Sequence, residues 1–138
     1  MSGILGSRYG EYFQAAILLN PCLNFPFMSN ITDIPDWVSS SILNKFHDWN
    51  LGNGEYKQLY DASVMSNPMT IPTLLLLGAK DLRVPYQAGL AFHAQQIANG
   101  KEIETYVYPD SSHGFDESLH TVLDIIVKVY LYIEKYLD

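Results

Sequence analysis

The sequence has a single cysteine, little positive charge and no long apolar run. The lone thiol, Cys22, cannot form an internal disulfide, which excludes a disulfide-stabilised secreted scaffold and is typical of a reducing compartment. No unbroken apolar stretch approaches the roughly 20 residues that a membrane-spanning helix needs. The first residues also lack a basic segment followed by an apolar core, so we expect no signal peptide. Together these absences predict a cytoplasmic protein without a membrane partner.

Basic residues and metal-ligand patterns are also scarce. Eight lysines and arginines face fifteen acidic residues, and the net charge of −7 argues against a nucleic acid partner. No glycine-rich phosphate loop is present, and no metal-binding spacing connects Cys22 with the four histidines, His47, His93, His113 and His120. The sequence therefore predicts neither a metal nor a cofactor.

What remains is the pattern of one folded α/β domain. The chain has 138 residues, 48% of them apolar and 17% charged, which is ordinary for a single domain with its own core. Apolar runs predict strands over residues 15–19, 73–77 and 103–108. Helical spacing predicts helices over 85–99 and from 116 to the end, after a weak helix in the first dozen residues. This alternation predicts a parallel sheet with helices on both faces.

Residues 25–72 interrupt this alternation. The segment is rich in aromatic residues, asparagine and serine, and it predicts short helices over 35–43 and 54–63 rather than strands. Such an insertion is either a cap over a pocket or a satellite hydrophobic core, and the pattern alone leaves both open.

Titratable side chains follow two of the predicted strands. Asp81 comes four residues after the strand 73–77, and His113 comes five residues after the strand 103–108. Ligands and catalytic groups of open α/β sheets collect beyond the carboxyl ends of the strands, so both side chains are expected at one sheet edge. A carboxylate there can orient an imidazole for proton transfer. The alternative is a helix-capping aspartate and a solvated histidine.

The sequences of these two loops resemble those of a known protein family. The segment GAKDLRVP (78–85) resembles the acid loop, and YPDSSHGF (108–115) the histidine loop, of α/β-hydrolases of the prolyl oligopeptidase family. The hexapeptide TDIPDW (32–37), which follows an Asn-Pro turn, is similar to the acylaminoacyl peptidase branch. The resemblance implies that residues 1–138 form part of a peptidase catalytic domain. It implies the C-terminal half of an α/β-hydrolase fold, with about three parallel strands, flanking helices and an incomplete sheet.

The same resemblance implies roles for individual residues. Asp81 matches the acid of the catalytic triad and His113 matches its general base. Asp36 and Trp37 fall in the region that contributes to the substrate pocket, and Arg83 matches the arginine after the acid. A local ion pair for Arg83 and a structural anchor for Trp37 are the alternatives. The implied substrate is an N-acylated peptide, the intact enzyme is implied to be a homo-oligomer, and no cofactor is implied.

The nucleophile is the missing part of this pattern. No G-x-S-x-G motif occurs, and the resemblance aligns the nucleophilic serine directly before Met1. We therefore expect the 138 residues alone to be inactive, whereas the intact protein would release N-acyl amino acids through an acyl-enzyme. Two alternatives stay open: an esterase or general oligopeptidase of the same superfamily, and a non-catalytic remnant or interaction module.

Overall fold

The centre of the fold is a three-stranded parallel sheet. The computed structural model describes residues 1–45, 51–67 and 69–137. Its strands are β1 (Ala16–Leu19), β2 (Thr73–Gly78) and β3 (Ile103–Tyr108), in the spatial order β1-β2-β3. Leu75 of β2 pairs with Leu18 on one side and with Thr105 on the other. The predicted α/β class and the three predicted strands are confirmed.

The middle strand is covered on both faces. Every residue of β2 is buried, and its successive leucines alternate between two hydrophobic clusters. Leu75 and Leu77 pack in one cluster with Phe92, whereas Leu74 and Leu76 pack in the other with Ile125. This double burial explains why the strand reads as a continuous apolar run instead of an alternating one.

The described part of the chain contains six α-helices, some of them continued by short helical turns. They are α1 (Ser2–Arg8), α2 (Phe25–Ile31), α3 (Pro35–Val38), α4 (Asn53–Ala62), α5 (Gln87–Ala98) and α6 (Leu119–Tyr136). Gly10–Tyr12 and Val64–Ser66 form 3-10 turns, and Ser39–Leu43 forms a π-helical turn. Among the described helices, none is long and apolar enough to cross a membrane.

Two details of the helices differ from the sequence prediction. The spacing of apolar residues in α5 predicts a buried stripe of Ala88, Ala91, Ala94 and Ala98 with Leu90 and Ile97. This prediction is wrong except for Ala88, because the buried face consists of Ala88, Gly89, Phe92 and Gln96, while the other predicted residues are exposed. Helix α6 begins at Leu119 rather than at residue 116. The residues just before it are engaged elsewhere: Glu117 accepts a hydrogen bond from the Ser112 N–H, and Phe115 is buried.

The insertion 25–72 has its own small core. Phe25, Met28, Val38 and Leu59 form a cluster that is separate from the two clusters at the sheet. Val84, which follows Asp81 in the chain, belongs to this same cluster. This satellite cluster packs against the loop after β2 through Val84.

Candidate active site

The loop after β2 holds Asp81 in a fixed and buried position. A turn closes where the Asp81 N–H donates to the carbonyl of Gly78 at 3.2 Å. The carboxylate has no exposed surface, and its Oδ1 accepts hydrogen bonds from the N–H groups of Arg83 at 2.8 Å and Val84 at 2.9 Å. Two backbone donors thus satisfy one oxygen, which leaves Oδ2 available for another partner.

That partner is His113, in the loop after β3. Its Nδ1 lies 2.7 Å from Oδ2 of Asp81, and its side chain is 44% exposed. Because the aspartate oxygen can only accept, Nδ1 carries the proton and donates it. The opposite nitrogen, Nε2, is then the basic position of the ring. The structure therefore brings together the two side chains that the sequence places 32 residues apart.

The two loops are tied to each other along their backbones. The N–H of Ala79 donates to the carbonyl of Tyr108, and the N–H of Lys80 donates to the carbonyl of Ser111, each at 2.9 Å. Gly78 permits this approach, because a Cβ there would lie 2.5 Å from the carbonyl oxygen of Ser112. The acid loop and the histidine loop consequently form one unit at the carboxyl edge of the sheet.

The TDIPDW segment is fastened to the acid loop. The Thr32 hydroxyl donates to the carbonyl of Arg83 at 2.7 Å, and the Asp33 N–H donates to the carbonyl of Leu82 at 3.1 Å. The Arg83 guanidinium also lies 3.8 Å from the Asp33 carboxylate, in an exposed ion pair. Arg83 therefore makes the local pair that was one of its two predicted roles. Two motifs that are 50 residues apart in sequence thus form one structural unit.

Two cavities meet at His113. One is mostly apolar, and besides His113 it is lined by Asn20, Cys22, Met28, Ile34, Trp37, Arg83 and Val84. The other is polar and is lined by Asp33, Lys80, Asp81, Arg83, Ser112 and Asp116. Trp37, which is 44% exposed, thus lies where a substrate-contacting residue could lie. Asp36, on the same short helix, lines neither cavity.

Cys22 lies between His113 and the start of α1. Cys22 and Trp37 both line the apolar cavity at His113. They also line a third cavity, whose other lining residues include Met1 and Ser2. Burial, and next the negative charge of Asp81, raise the pKa of the Cys22 thiol from 9.0 to about 11. The thiol is therefore protonated at neutral pH and does not resemble an activated nucleophile.

Asn20 is a site residue that the sequence pattern does not reveal, because Asn20-Pro21 indicates only a turn. Its buried side-chain amide donates to the carbonyls of Ser112 and His113 and accepts from the N–H of Gly78. Its position could have identified it, because Asn20 is a polar residue directly after a strand, at the same sheet edge as the other two loops.

The described residues contain no group of three or more histidine, cysteine, aspartate or glutamate side chains placed to hold a metal ion. His93 instead bonds to the Thr105 hydroxyl at 2.9 Å, and His120 is exposed. His47 lies outside the described residues. The pairing of His113 Nδ1 with Asp81 is geometrically able to support proton transfer at His113 Nε2, with the carboxylate next to the imidazolium that would form.

Comparison with known proteins finds similar sequences along the whole chain. A model of the "Prolyl oligopeptidase family" matches residues 1–138. The acylamino-acid-releasing enzyme of Arabidopsis thaliana is 32% identical over 141 residues, covering 91% of this chain and 17% of its own. Acylamino-acid-releasing enzyme 1 of Oryza sativa subsp. japonica is 35% identical over 121 residues, covering 83% of this chain and 15% of its own.

The fold is similar to that of a solved peptidase. The uncomplexed acylaminoacyl peptidase of Pyrococcus horikoshii superposes with a TM-score of 0.82 at 21% identity, covering 98% of this chain and 22% of the other. The chain thus spans about a sixth of the length of the curated relatives and about a fifth of that structure. The match along its whole length nevertheless shows that the chain belongs to the prolyl oligopeptidase family.

Proposed function

We propose that the intact protein is a serine peptidase that hydrolyses N-acylated peptides and releases an N-acyl amino acid. In this proposal Asp81 is the acid of the catalytic triad and His113 is the general base. The observation that supports these roles is the pairing of a fully buried carboxylate with a half-exposed imidazole that borders two cavities. A purely structural ion pair does not require that one partner borders a cavity that can hold a ligand.

The reaction proceeds in two halves. His113 Nε2 takes the proton of a serine hydroxyl while the serine oxygen attacks the scissile carbonyl carbon. The proton then passes to the leaving amine as the peptide bond breaks, which leaves an acyl-enzyme. A water molecule repeats the sequence, and the serine regains its proton as the N-acyl amino acid departs. Asp81 stays ionised throughout and stabilises the imidazolium.

The nucleophile, in this proposal, is a serine directly before Met1 in the intact protein. The placement is supported by the cavity that Met1 shares with Cys22 and Trp37, since both of these side chains also border the cavity at His113. A serine at the start of α1 would therefore lie on the path to the imidazole. The 138 residues alone are then expected to lack the nucleophile and to react with no fluorophosphonate.

The preference for N-acylated peptides is supported by the similarity to relatives named acylamino-acid-releasing enzymes. The mostly apolar cavity at His113 fits an uncharged acylated residue better than a charged free amino terminus. The reaction as proposed uses no cofactor. A cytoplasmic location stays a prediction from the sequence composition, and homo-oligomeric assembly of the intact protein stays a prediction from the resemblance.

Three chromogenic substrates test the proposal on the intact protein. We expect hydrolysis of acetyl-alanine anilide, with a much lower kcat/KM for the same anilide with a free amino group. The His113→Ala variant should lower kcat by at least roughly 10³-fold. His120→Ala is the matched control, because His120 is exposed on α6 and lines neither cavity at His113.

The outcomes separate the alternatives. Equal hydrolysis of both anilides would indicate a general oligopeptidase, and hydrolysis of only the third substrate, a nitrophenyl ester, would indicate an esterase. If the intact protein neither hydrolyses these substrates nor reacts with a fluorophosphonate, it is a non-catalytic member of the family. Full activity in His113→Ala would contradict the assigned base.

A further inference from the structure

Asn20 occupies an unusual backbone position at the end of β1. Its φ of 40° lies in the left-handed region, and only 5% of the residue is exposed. Asparagine is one of the few residues other than glycine that adopt this conformation readily. Its own N–H still donates to the carbonyl of Leu76 at 2.9 Å. Asn20 is thus bound to β2 at the point where the chain leaves the sheet.

The side chain of Asn20 connects the ends of all three strands. Its Oδ1 accepts from the N–H of Gly78, the last residue of β2, at 2.7 Å. Its Nδ2 donates to the carbonyls of Ser112 at 3.1 Å and His113 at 3.0 Å, in the loop after β3. Both amide hydrogens are therefore used, and one buried group links β1, the start of the acid loop and the histidine loop.

The bond to the His113 carbonyl differs from the other links between the loops. Those links hold Tyr108 and Ser111, which come before His113, and Glu117 holds the N–H of Ser112. Among the described residues, Asn20 supplies the hydrogen bond to the backbone of His113 itself. Of the contacts that hold the imidazole near Asp81, two involve His113 itself: its own Nδ1 bond and this amide.

We propose that Asn20 is a positioning residue for His113. It fixes the His113 backbone where Nδ1 meets the Asp81 carboxylate and Nε2 is available at the cavities. The kinetic consequence rests on the proposed function, whereas the geometric consequence does not. Because the amide hydrogens of Asn20 are both donated to backbone carbonyls, it acts through His113 rather than on the substrate.

Two substitutions remove these bonds in different ways. Asn20→Asp keeps the size of the side chain and an acceptor for Gly78, but it places an oxygen against two carbonyl oxygens. Asn20→Gly still permits a positive φ and deletes all three side-chain bonds. The matched control is Asn67→Asp, which loses an amide donor to the carbonyl of Ser7, 2.7 Å away in another part of the fold.

The first measurement is steady-state hydrolysis of acetyl-alanine anilide by the intact protein. We expect kcat to fall about ten- to a hundredfold in both Asn20 variants, with KM changed less than about twofold, because the base is misplaced and the substrate cavity is kept. Asn67→Asp should keep the wild-type kcat. A merely structural role would lower the melting temperature of the Asn20 variants without changing kcat per folded molecule.

The second measurement does not depend on activity and separates failure of this proposal from failure of the proposed function. In intact protein labelled with nitrogen-15 at histidine, the Nδ1 proton of His113 should give an NMR signal, because its hydrogen bond to Asp81 slows its exchange with water. We expect it to be lost or broadened in Asn20→Gly and kept in Asn67→Asp. An unchanged signal, or unchanged kcat, in both Asn20 variants overturns the proposal. It is also overturned if neither variant folds, because the role of Asn20 is then structural.

Discussion

The Asp81 carboxylate holds His113 Nδ1 at 2.7 Å with one oxygen, while its other oxygen is held by the backbone N–H groups of Arg83 and Val84. The carboxylate therefore cannot rotate without breaking two backbone hydrogen bonds. A fixed acceptor of this kind sets both the tautomer and the orientation of the ring. The buried position of Asp81 and the half-exposed position of His113 follow from the order of the loops at one sheet edge.

The Asp81→Asn substitution tests this relationship. To keep the backbone bonds from Arg83 and Val84, the new amide must place its oxygen toward them and its NH₂ toward His113. That NH₂ can only donate, so Nδ1 must be unprotonated and Nε2 loses its capacity to accept a proton. If the proposed function holds, we expect kcat of the intact protein to fall by roughly 10⁴-fold, as a comparable change does in a well-studied serine protease, with little change in KM. Steady-state kinetics with acetyl-alanine anilide measures both.

The matched control is Asp110→Asn. Asp110 lies close in sequence to His113, but its carboxylate is exposed and bonds to Lys80 at 2.8 Å. This change should leave kcat and KM within about twofold, because exposed ion pairs contribute little. Equal losses in both variants would point to a general charge effect and contradict the tautomer argument.

The closeness of the two loops at Gly78 gives a second prediction. A Cβ at this position would meet the carbonyl oxygens of Ser111 at 2.6 Å and Ser112 at 2.5 Å, and both belong to backbone. We expect Gly78→Ala to lower the free energy of unfolding of the chain by roughly 1–3 kcal/mol. Chemical denaturation measures this change, and amide NMR shifts at Ser111 and Ser112 should show that the histidine loop has moved.

Gly54→Ala is the control for this prediction. Gly54 lies in the first turn of α4, and a Cβ there would meet nothing within 4 Å. Alanine reduces the freedom of the unfolded chain without strain in the fold, so we expect a gain of about 0.4–1 kcal/mol. A loss in both variants would mean that the effect at Gly78 does not arise from the contact with the histidine loop.

The positions of Asp81 and His113 could be predicted from the sequence because they depend only on the order of the strands. Asp81 and His113 each follow a recognisable strand, and the carboxyl ends of parallel strands meet at one edge. The prediction needs no knowledge of side-chain packing. For the same reason the α/β class could be predicted from the alternation of elements alone.

The parts that could not be predicted depend on tertiary contacts. Asn20-Pro21 indicates a turn whether or not the amide binds anything, so its three bonds have no signature in the local sequence. The apolar spacing predicts the wrong buried face of α5 because its alanines, Leu90 and Ile97 occur on several sides of that helix. Periodicity cannot choose among such faces, whereas Phe92 and the sheet do.

The thiol of Cys22 gives a prediction of pH dependence. With a pKa of about 11 instead of 9.0, the thiolate fraction at pH 8 is about 100-fold smaller than for an unperturbed thiol. We expect alkylation by iodoacetamide to be slow and to speed up about tenfold per pH unit between pH 7 and 10. Since the folded pKa is the higher one, the neutral buried thiol contributes stability below pH 9 that is lost as pH rises through about 11.

Asp81→Asn serves here as a diagnostic variant. The Asp81 charge is the second cause of the raised pKa of Cys22, after burial, so its removal should lower that pKa and accelerate alkylation at pH 8. Asp110→Asn should leave the rate unchanged. An alkylation rate that is independent of pH, or equal in wild type and Asp81→Asn, would contradict this account of the thiol.

Two adjacent glutamines on α5 give the last prediction. Gln96 is fully buried, and neither its Oε1 nor its Nε2 has a hydrogen-bond partner among the described residues, whereas Nε2 of Gln95 donates to the carbonyl of Met65 at 3.1 Å. An unpaired buried amide costs about 1–3 kcal/mol, so Gln96→Leu should raise the free energy of unfolding by about that amount. Gln95→Leu should give a smaller gain or a loss, because removal of its own unpaired Oε1 is offset by the Met65 carbonyl, which loses its donor. Urea denaturation of both variants measures the difference, and destabilisation by Gln96→Leu would show that its amide is paired.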